Sequence, residues 1–127
     1  MLLSNESPKP IYQQIAEGIE DDILTGRLEE GEQAYSTNHI AKVYQINPAT
    51  AGKGINMLVD EEILFKRRGL GMFVADGAVE KIRQKRKQSF YNDYLIKTLL
   101  EAKKLGIAST EILEMIVRYE KGERGSL

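Results

Sequence analysis

Residues 36–74 constrain this chain more than any other stretch. Ser36 precedes a short apolar-periodic run in which Ile40, Ala41 and the pair Val43-Tyr44 are expected to face a core. Gln45-Ile46-Asn47 leaves room only for a tight turn. Asn47 can cap a helix by accepting a backbone N–H, and Pro48 suits the first helical position because the N–H it lacks has no partner there. Ala51, Ile55, Leu58 and Val59 recur at helical spacing, which turns Ala49, Thr50, Gly52, Lys53 and Asn56 to other faces. Ile63-Leu64-Phe65-Lys66-Arg67 reads as a strand, Arg68-Gly69-Leu70-Gly71 as a turn, and Met72-Phe73-Val74 as the returning strand. Helix, tight turn, helix and a basic glycine hairpin are the sequence form of a winged helix-turn-helix. Such a unit sends one helix into the major groove of DNA and a loop toward the backbone beside it.

The flanking segments extend this plan. Pro10 opens a helix in which Ile11, Ile15, Ile19 and Ile23 recur every fourth residue as one buried stripe, and Gly26 ends it. Residues 79–104 contain no Pro or Gly after Gly77 and predict one long helix, basic at first and apolar later, broken by Gly106. Ser109 or Thr110 is expected to cap a last helix, and residues 121–127 read as a frayed tail. Phe90, Tyr91, Tyr94, Leu95 and Leu99 on the first of these helices, with Ile112, Leu113 and Ile116 on the second, are more apolar surface than two helices bury against each other. A second copy of the chain is the expected cover. The expected fold class is therefore mainly α with a small β-hairpin. A winged helix-turn-helix domain would span 1–78 and a short helical dimerisation region 79–127.

At 127 residues the chain holds one domain, or one compact domain with an appendage. It has no cysteine, which excludes disulfides, thiolate metal sites and thiol nucleophiles. His39 is the sole histidine and cannot build the usual kind of metal site, so no metal and no cofactor are expected. It reads either as a residue near the backbone of bound DNA or as an ordinary surface histidine. No leader-like or membrane-spanning run is present, and a cytoplasmic protein is expected. Gly69-x-Gly71 lacks the third glycine and the strand-to-helix setting of a dinucleotide fingerprint. Ala51-Gly52-Lys53-Gly54 lacks the earlier glycine and the following hydroxyl residue of a phosphate loop. With no catalytic constellation in view, an enzyme is not expected.

The net charge of −1 hides an asymmetry. Residues 1–78 carry 7 Lys/Arg against 12 Asp/Glu, and residues 79–127 carry 11 against 7. An acidic first part counts against nucleic-acid binding, but its acids cluster before Ser36, and residues 35–74 are net basic. Lys81, Arg83, Lys85, Arg86 and Lys87 read either as a solvated linker helix or as additional phosphate contacts. Gly52 and Gly54 weaken the helix they occupy and imply a close approach, by DNA or by a neighbouring helix.

Pro10-Ile11-Tyr12-Gln13-Gln14-Ile15, Gly26-Arg27-Leu28, Gly31-Glu32, Ser36, Ile40-Ala41, Asn47-Pro48-Ala49-Thr50 and Arg68-Gly69-Leu70-Gly71-Met72-Phe73-Val74 occur in the order and spacing of one known domain. In these residues the chain resembles the N-terminal domain of GntR-family transcriptional regulators, and its short two-helix tail is similar to the YtrA subfamily. The resemblance implies a bacterial repressor that binds double-stranded DNA at a palindromic operator as a homodimer, with a transporter operon as a target class. It names no effector ligand. It implies groove contacts from Asn47, Ala49, Thr50 and Lys53, phosphate contacts from Ser36, Thr37 and Asn38, and wing contacts from Arg67, Arg68 and Gly69. The alternative is a winged helix used for protein contacts without DNA, which the acidic first part supports. Three positions depart from the family pattern. Ala34-Tyr35-Ser36-Thr37-Asn38 stands where Leu-Pro-Ser-x-Arg is usual. Glu62 replaces a customary glycine, pointing to a less strained or shifted turn. Thr50-Ala51-Gly52-Lys53 offers one basic residue where a second is common.

Overall fold

The computed structural model of the protein describes residues 1–123 and divides the chain into two compact units, one from Met1 to Lys85 and one from Arg86 on. The first contains α1 (Ile11–Leu24), α2 (Thr37–Tyr44), α3 (Pro48–Asp60), β1 (Leu64–Arg67), β2 (Gly71–Val74) and the start of α4 (Ala78–Phe90). Its core is a single cluster. Ile15, Ile19 and Ile23 from α1 pack with Ile40 and Ala41 from α2, Ala51, Ile55 and Leu58 from α3, and Ile63, Leu64, Val74, Ala78 and Ile82. Ile11, the first residue of the expected stripe, is half-buried at the edge of that cluster. Val43 departs from expectation: it is 54% exposed. Eight residues give α2 little more than two turns, and the face closed by Ile40, Ala41 and half-buried Tyr44 does not extend to Val43.

Both expected caps of the helix pair form. Ser36 Oγ accepts the His39 N–H at 3.0 Å, and Asn47 Oδ1 accepts the Ala49 N–H at 2.8 Å. Between the helices Gln45 adopts φ 52 and turns the chain. Glu62 also lies in the left-handed region, at φ 60. The tight turn before the hairpin is thus kept without its glycine, not relaxed as Glu62 suggested. A side chain in this conformation costs roughly 1–2 kcal/mol. The Glu62 carbonyl accepts from Lys81 Nζ at 3.1 Å, one contact that helps hold the turn.

β1 and β2 pair antiparallel, with Leu64 opposite Val74, Phe65 opposite Phe73, Lys66 opposite Met72 and Arg67 opposite Gly71. Residues 31–34 lie along the outer side of β2. Gly31 N donates to the Val74 carbonyl at 2.8 Å, Val74 N to Glu32 at 2.9 Å, and Ala34 N to Met72 at 2.8 Å.

The start of α4 is bound to this unit by polar contacts. The Glu30 carboxylate accepts the N–H groups of Gly77 at 2.9 Å and Val79 at 3.0 Å, which lowers its pKa. Lys85 pairs with the buried Glu20 and, at 2.6 Å, with Glu61. Burial pulls the Lys85 pKa down, but the bonds to the two carboxylates outweigh it and leave the pKa raised. The basic run is therefore not uniform: Lys81 and Lys85 pair with Glu62, Glu20 and Glu61, while Arg83 and Lys87 are exposed.

The second unit continues α4, passes through a π-helical turn (Tyr91–Leu95), and adds α5 (Ile96–Lys104) and α6 (Ser109–Glu120). The expected uninterrupted helix is thus widened at its centre, and nothing in the local sequence explains the widening. Gly106 ends α5 at φ 69 as expected. Ser109 and Thr110 do not cap α6. Ala108 holds the cap position without a side-chain bond, and both hydroxyl residues lie inside the helix. Lys121 to Glu123 close α6 in an ordered turn, with Glu123 N donating to Arg118 at 2.9 Å, whereas 124–127 of the expected frayed tail lie outside the described residues. Ala102 is the one buried residue of this unit among those described.

The two α3 glycines separate cleanly. A Cβ on Gly54 would meet the Tyr12 carbonyl oxygen at 2.6 Å and Ile15 at 3.1 Å, while one on Gly52 would meet Thr37 Cγ2 at 3.6 Å, an ordinary contact. Gly54 serves the approach of a neighbouring helix. Gly54→Ala should lower the unfolding free energy by about 1–3 kcal/mol through overpacking. Gly52→Ala should raise it by up to about 1 kcal/mol through helix propensity. Urea titrations of both variants check the opposite signs, and equal effects would contradict this assignment.

Candidate nucleic-acid interface

The face expected to meet DNA is built from the N-terminal turns of α2 and α3 and the turn between β1 and β2. α2 and α3 touch there, since half-buried Thr37 lies against Gly52. Ser36, Asn38, Asn47, Ala49 and Lys53 are exposed, and Thr50 is half-buried. The cap geometry distinguishes the two helix starts. At α3, Pro48 has no N–H, Ala49 N is bound by the Asn47 side chain, and Thr50 N and Ala51 N bind the Asn47 carbonyl at 3.0 and 3.1 Å. The first backbone N–H groups of α3 are thus already taken, and α3 presents its side chains instead. At α2 the cap and its carbonyl take His39 N and Ile40 N. The N–H groups of Thr37 and Asn38 have no intrahelical acceptor, at the positive end of the helix dipole.

Lys53 does not extend freely into solvent. Its ammonium lies 4.0 Å from the centre of the Tyr12 ring, a cation–π contact from α3 to α1. Sequence spacing gives Tyr12 only as a residue beside the α1 stripe, because its relation to Lys53 depends on how closely the two helices cross. In the hairpin, Phe65 and Phe73 stack with centroids 5.9 Å apart, and the Arg67 guanidinium covers them at 5.5 and 4.8 Å. Arg67 is therefore a stacked residue on one face of the hairpin. Arg68, Gly69 and Leu70 form the exposed tip, with Gly69 at φ 79 and Leu70 62% exposed.

Tyr35, which stands where the family pattern has proline, anchors the entrance to α2. Its hydroxyl donates to Asp22 Oδ2 at 2.8 Å, and its ring stacks on His39 with centroids 6.3 Å apart. Burial, with the bond to the Asp22 carboxylate, pushes the Tyr35 hydroxyl up to about 12. No signal in the sequence marks this pair, because Asp22 lies on α1 among other surface-type acids.

In the second unit, Phe90, Tyr91, Tyr94, Leu99, Leu113 and Ile116 are exposed, and Leu95 and Ile112 are half-buried. Tyr94 is 63% and Leu113 61% exposed. Among the described residues no group of three or more His, Asp or Glu side chains is placed to hold a metal, and no helix is long and apolar enough to cross a membrane.

Residues 11–74 match the family described as bacterial regulatory proteins, gntR family. The HTH-type transcriptional regulator YhcF of Bacillus subtilis is 30% identical over 117 residues, 92% of this chain and 95% of YhcF. The HTH-type transcriptional repressor YtrA of the same organism is 24% identical over 119 residues, 94% of this chain and 91% of YtrA. The chain spans only 35% of the longer B. subtilis repressor NagR, at 31% identity over 66% of its own length. Among solved structures, a GntR-family regulator from Bacteroides thetaiotaomicron superposes with a TM-score of 0.74 at 32% identity, over 91% of this chain and 100% of that one. The DNA-binding domain of AraR in complex with operator ORR3 superposes with a TM-score of 0.52 at 28% identity, over 59% of this chain and 90% of that one.

The raised pKa of Tyr35, set first by burial and then by the bond to Asp22, gives a pH test of this hydroxyl's setting. A raised folded-state pKa stabilises fully below the ordinary tyrosine value of 10.0 and is lost as pH climbs through about 12. Denaturation midpoints should place the wild type above Tyr35→Phe below pH 10 and bring the two together near pH 12. Parallel curves across that window would refute the raised pKa.

Proposed function

We propose, for a chain that belongs to the gntR family of bacterial regulatory proteins, a cytoplasmic DNA-binding transcriptional repressor that acts as a homodimer on a palindromic operator. The observation that carries this reading is the build of α3. Ala51, Ile55 and Leu58 bury one side of the helix completely, and the other side presents Asn47, Thr50 and Lys53 beside the start of α2. A helix so anchored can enter a major groove as a rigid body and read base edges with side chains. The N–H groups of Thr37 and Asn38, with Ser36 close by, suit a phosphate. Arg68 and Gly69 extend the contact to the neighbouring backbone or minor groove, and Arg67 supports them from its aromatic stack.

The second unit supports the homodimer. Helices with so little buried surface cannot be stable by their own packing, and Phe90, Tyr91, Tyr94, Leu95, Leu99, Ile112, Leu113 and Ile116 give them an apolar surface to share. Two copies would set their α3 helices in successive major grooves about 34–36 Å apart. Repression is supported by the names of YtrA and NagR, and a transporter operon is the target class that goes with the YtrA-like resemblance.

The test begins with a duplex enriched from random sequence by the wild-type chain. Lys53→Ala with Arg68→Ala should abolish gel retardation of that duplex while circular dichroism stays unchanged. Retardation equal to wild type would refute the contact assignment. Separately, Tyr94→Glu with Leu113→Glu should give a monomer in sedimentation and weaken binding by roughly 100-fold or more, because the second half-site loses its effective concentration. A dimer that survives both substitutions would place the interface elsewhere.

A further inference from the structure

The side chain of Gln33 reaches a backbone group 37 residues further along the chain. Its Nε2 donates to the Leu70 carbonyl at 2.7 Å, at the tip of the hairpin. The same nitrogen stands 2.9 Å from where a Cβ on residue 71 would lie, and Gly71 adopts φ 116. Glycine at 71 thus allows the backbone shape and also leaves the space that the amide fills. The main chain at Gln33 is itself fixed, because it bridges to Phe73 and its neighbours Glu32 and Ala34 bond to Val74 and Met72. The side chain therefore starts from a rail along β2 and ends on the turn. Within the turn, Leu70 N closes onto the Arg67 carbonyl at 2.9 Å.

We infer that Gln33 is the positioning residue of the wing: by tying the Leu70 carbonyl to the rail beside β2, it holds Arg68 and Leu70 at one reach toward the DNA edge next to each half-site. This rests on the DNA-binding reading above. Exposed turns open readily, and a loop that must be ordered on binding loses affinity to that ordering. A turn already held presents an arginine to the phosphates or the minor-groove edge, and beside it a leucine of the kind that can contact minor-groove walls. Gln33 touches no DNA in this scheme and acts through the wing.

The experiment uses the full chain and the duplex enriched by wild type. Gln33→Met keeps the length of the side chain and removes the donor. It should weaken binding roughly threefold to tenfold, the range for one hydrogen bond. It should also speed amide exchange at Leu70 and Gly71 in the free protein and fade the hydroxyl-radical protection beside each half-site. The unfolding midpoint and the sedimentation should stay unchanged. In an Arg68→Ala, Leu70→Gly background the same substitution should change affinity less than about twofold, because the contacts it positions are gone. An equal loss in both backgrounds overturns the inference, as does a Gln33→Met protein with wild-type affinity and protection. A wild type that enriches no duplex overturns the DNA-binding reading together with this inference, whereas an enriched duplex that Gln33→Met binds like wild type overturns the inference alone.

Discussion

The absence of one carbon atom, at Gly54, sets the distance between α1 and α3. With a Cβ there the Tyr12 carbonyl would be 2.6 Å away, so the helices could not keep their present separation. That separation lets Ile15 and Ile19 meet Ala51, Ile55 and Leu58 without a gap, and it brings the Tyr12 ring beneath the Lys53 ammonium. The same approach therefore closes the core and fixes the direction of a side chain on the outer face of α3. Glycine inside a helix costs roughly 1 kcal/mol against alanine, and here the cost is offset by the packing of Ile15, Ile19 and Ile23 of α1 in the core.

The charge pattern, which on its face opposes DNA binding, is reorganised by the fold. The acids of the first unit are largely occupied in holding the unit together. Glu20 and Glu61 hold Lys85, Glu30 binds the start of α4, Asp22 accepts from Tyr35, and Glu62 turns the chain into the hairpin while facing Lys81. Glu20 and Asp22 are buried. Charge engaged in this way is partly compensated where it stands and contributes less to the field at a distant face. The support that an acidic first part gave to a winged helix made only for protein contacts is thereby weakened. Lys53 on α3 and Arg68 at the hairpin tip have no acidic partner of that kind among the ion pairs described.

Local patterns were legible in the sequence, and relations across the chain were not. Ser36, Asn47 and Pro48 marked helix starts because capping is decided within three residues. The hairpin was legible because alternation and paired glycines lie within a dozen positions of each other. Val43 departs from its periodicity because a helix of two turns has too few residues to define its buried face. Ser109 and Thr110 satisfied the composition of a cap, but Ala108 took the position, and an extended backbone there is enough to start α6. Glu62 showed the opposite limit: the sequence lacked the glycine that announces a left-handed turn, yet the fold imposes the turn. The pairs Tyr12 with Lys53, Tyr35 with Asp22 and Gln33 with Leu70 join residues far apart in the chain, and each needs the helix crossing or the strand register before it can be seen.

In the proposed interface, the departure at Asn38 and the caps of α2 and α3 would together set which groups meet DNA. Asn38 removes a positive side chain from the start of α2, but the N–H groups of Thr37 and Asn38 remain at the positive end of that helix, where an anion is favoured by about 0.3–1 kcal/mol. Asn47 and Pro48 leave α3 without spare backbone donors, so recognition by this helix would fall to side chains, and the one cation among them lies over an aromatic ring. Arg67 is likewise held on two rings. An interface with fewer long-range charges and more constrained ones gains less from counterion release, which scales with the number of phosphates neutralised, and depends more on geometry. On the proposed reading, few but pre-positioned contacts would make affinity sensitive to the groups that hold them, Tyr12, Tyr35 and Gln33 among them.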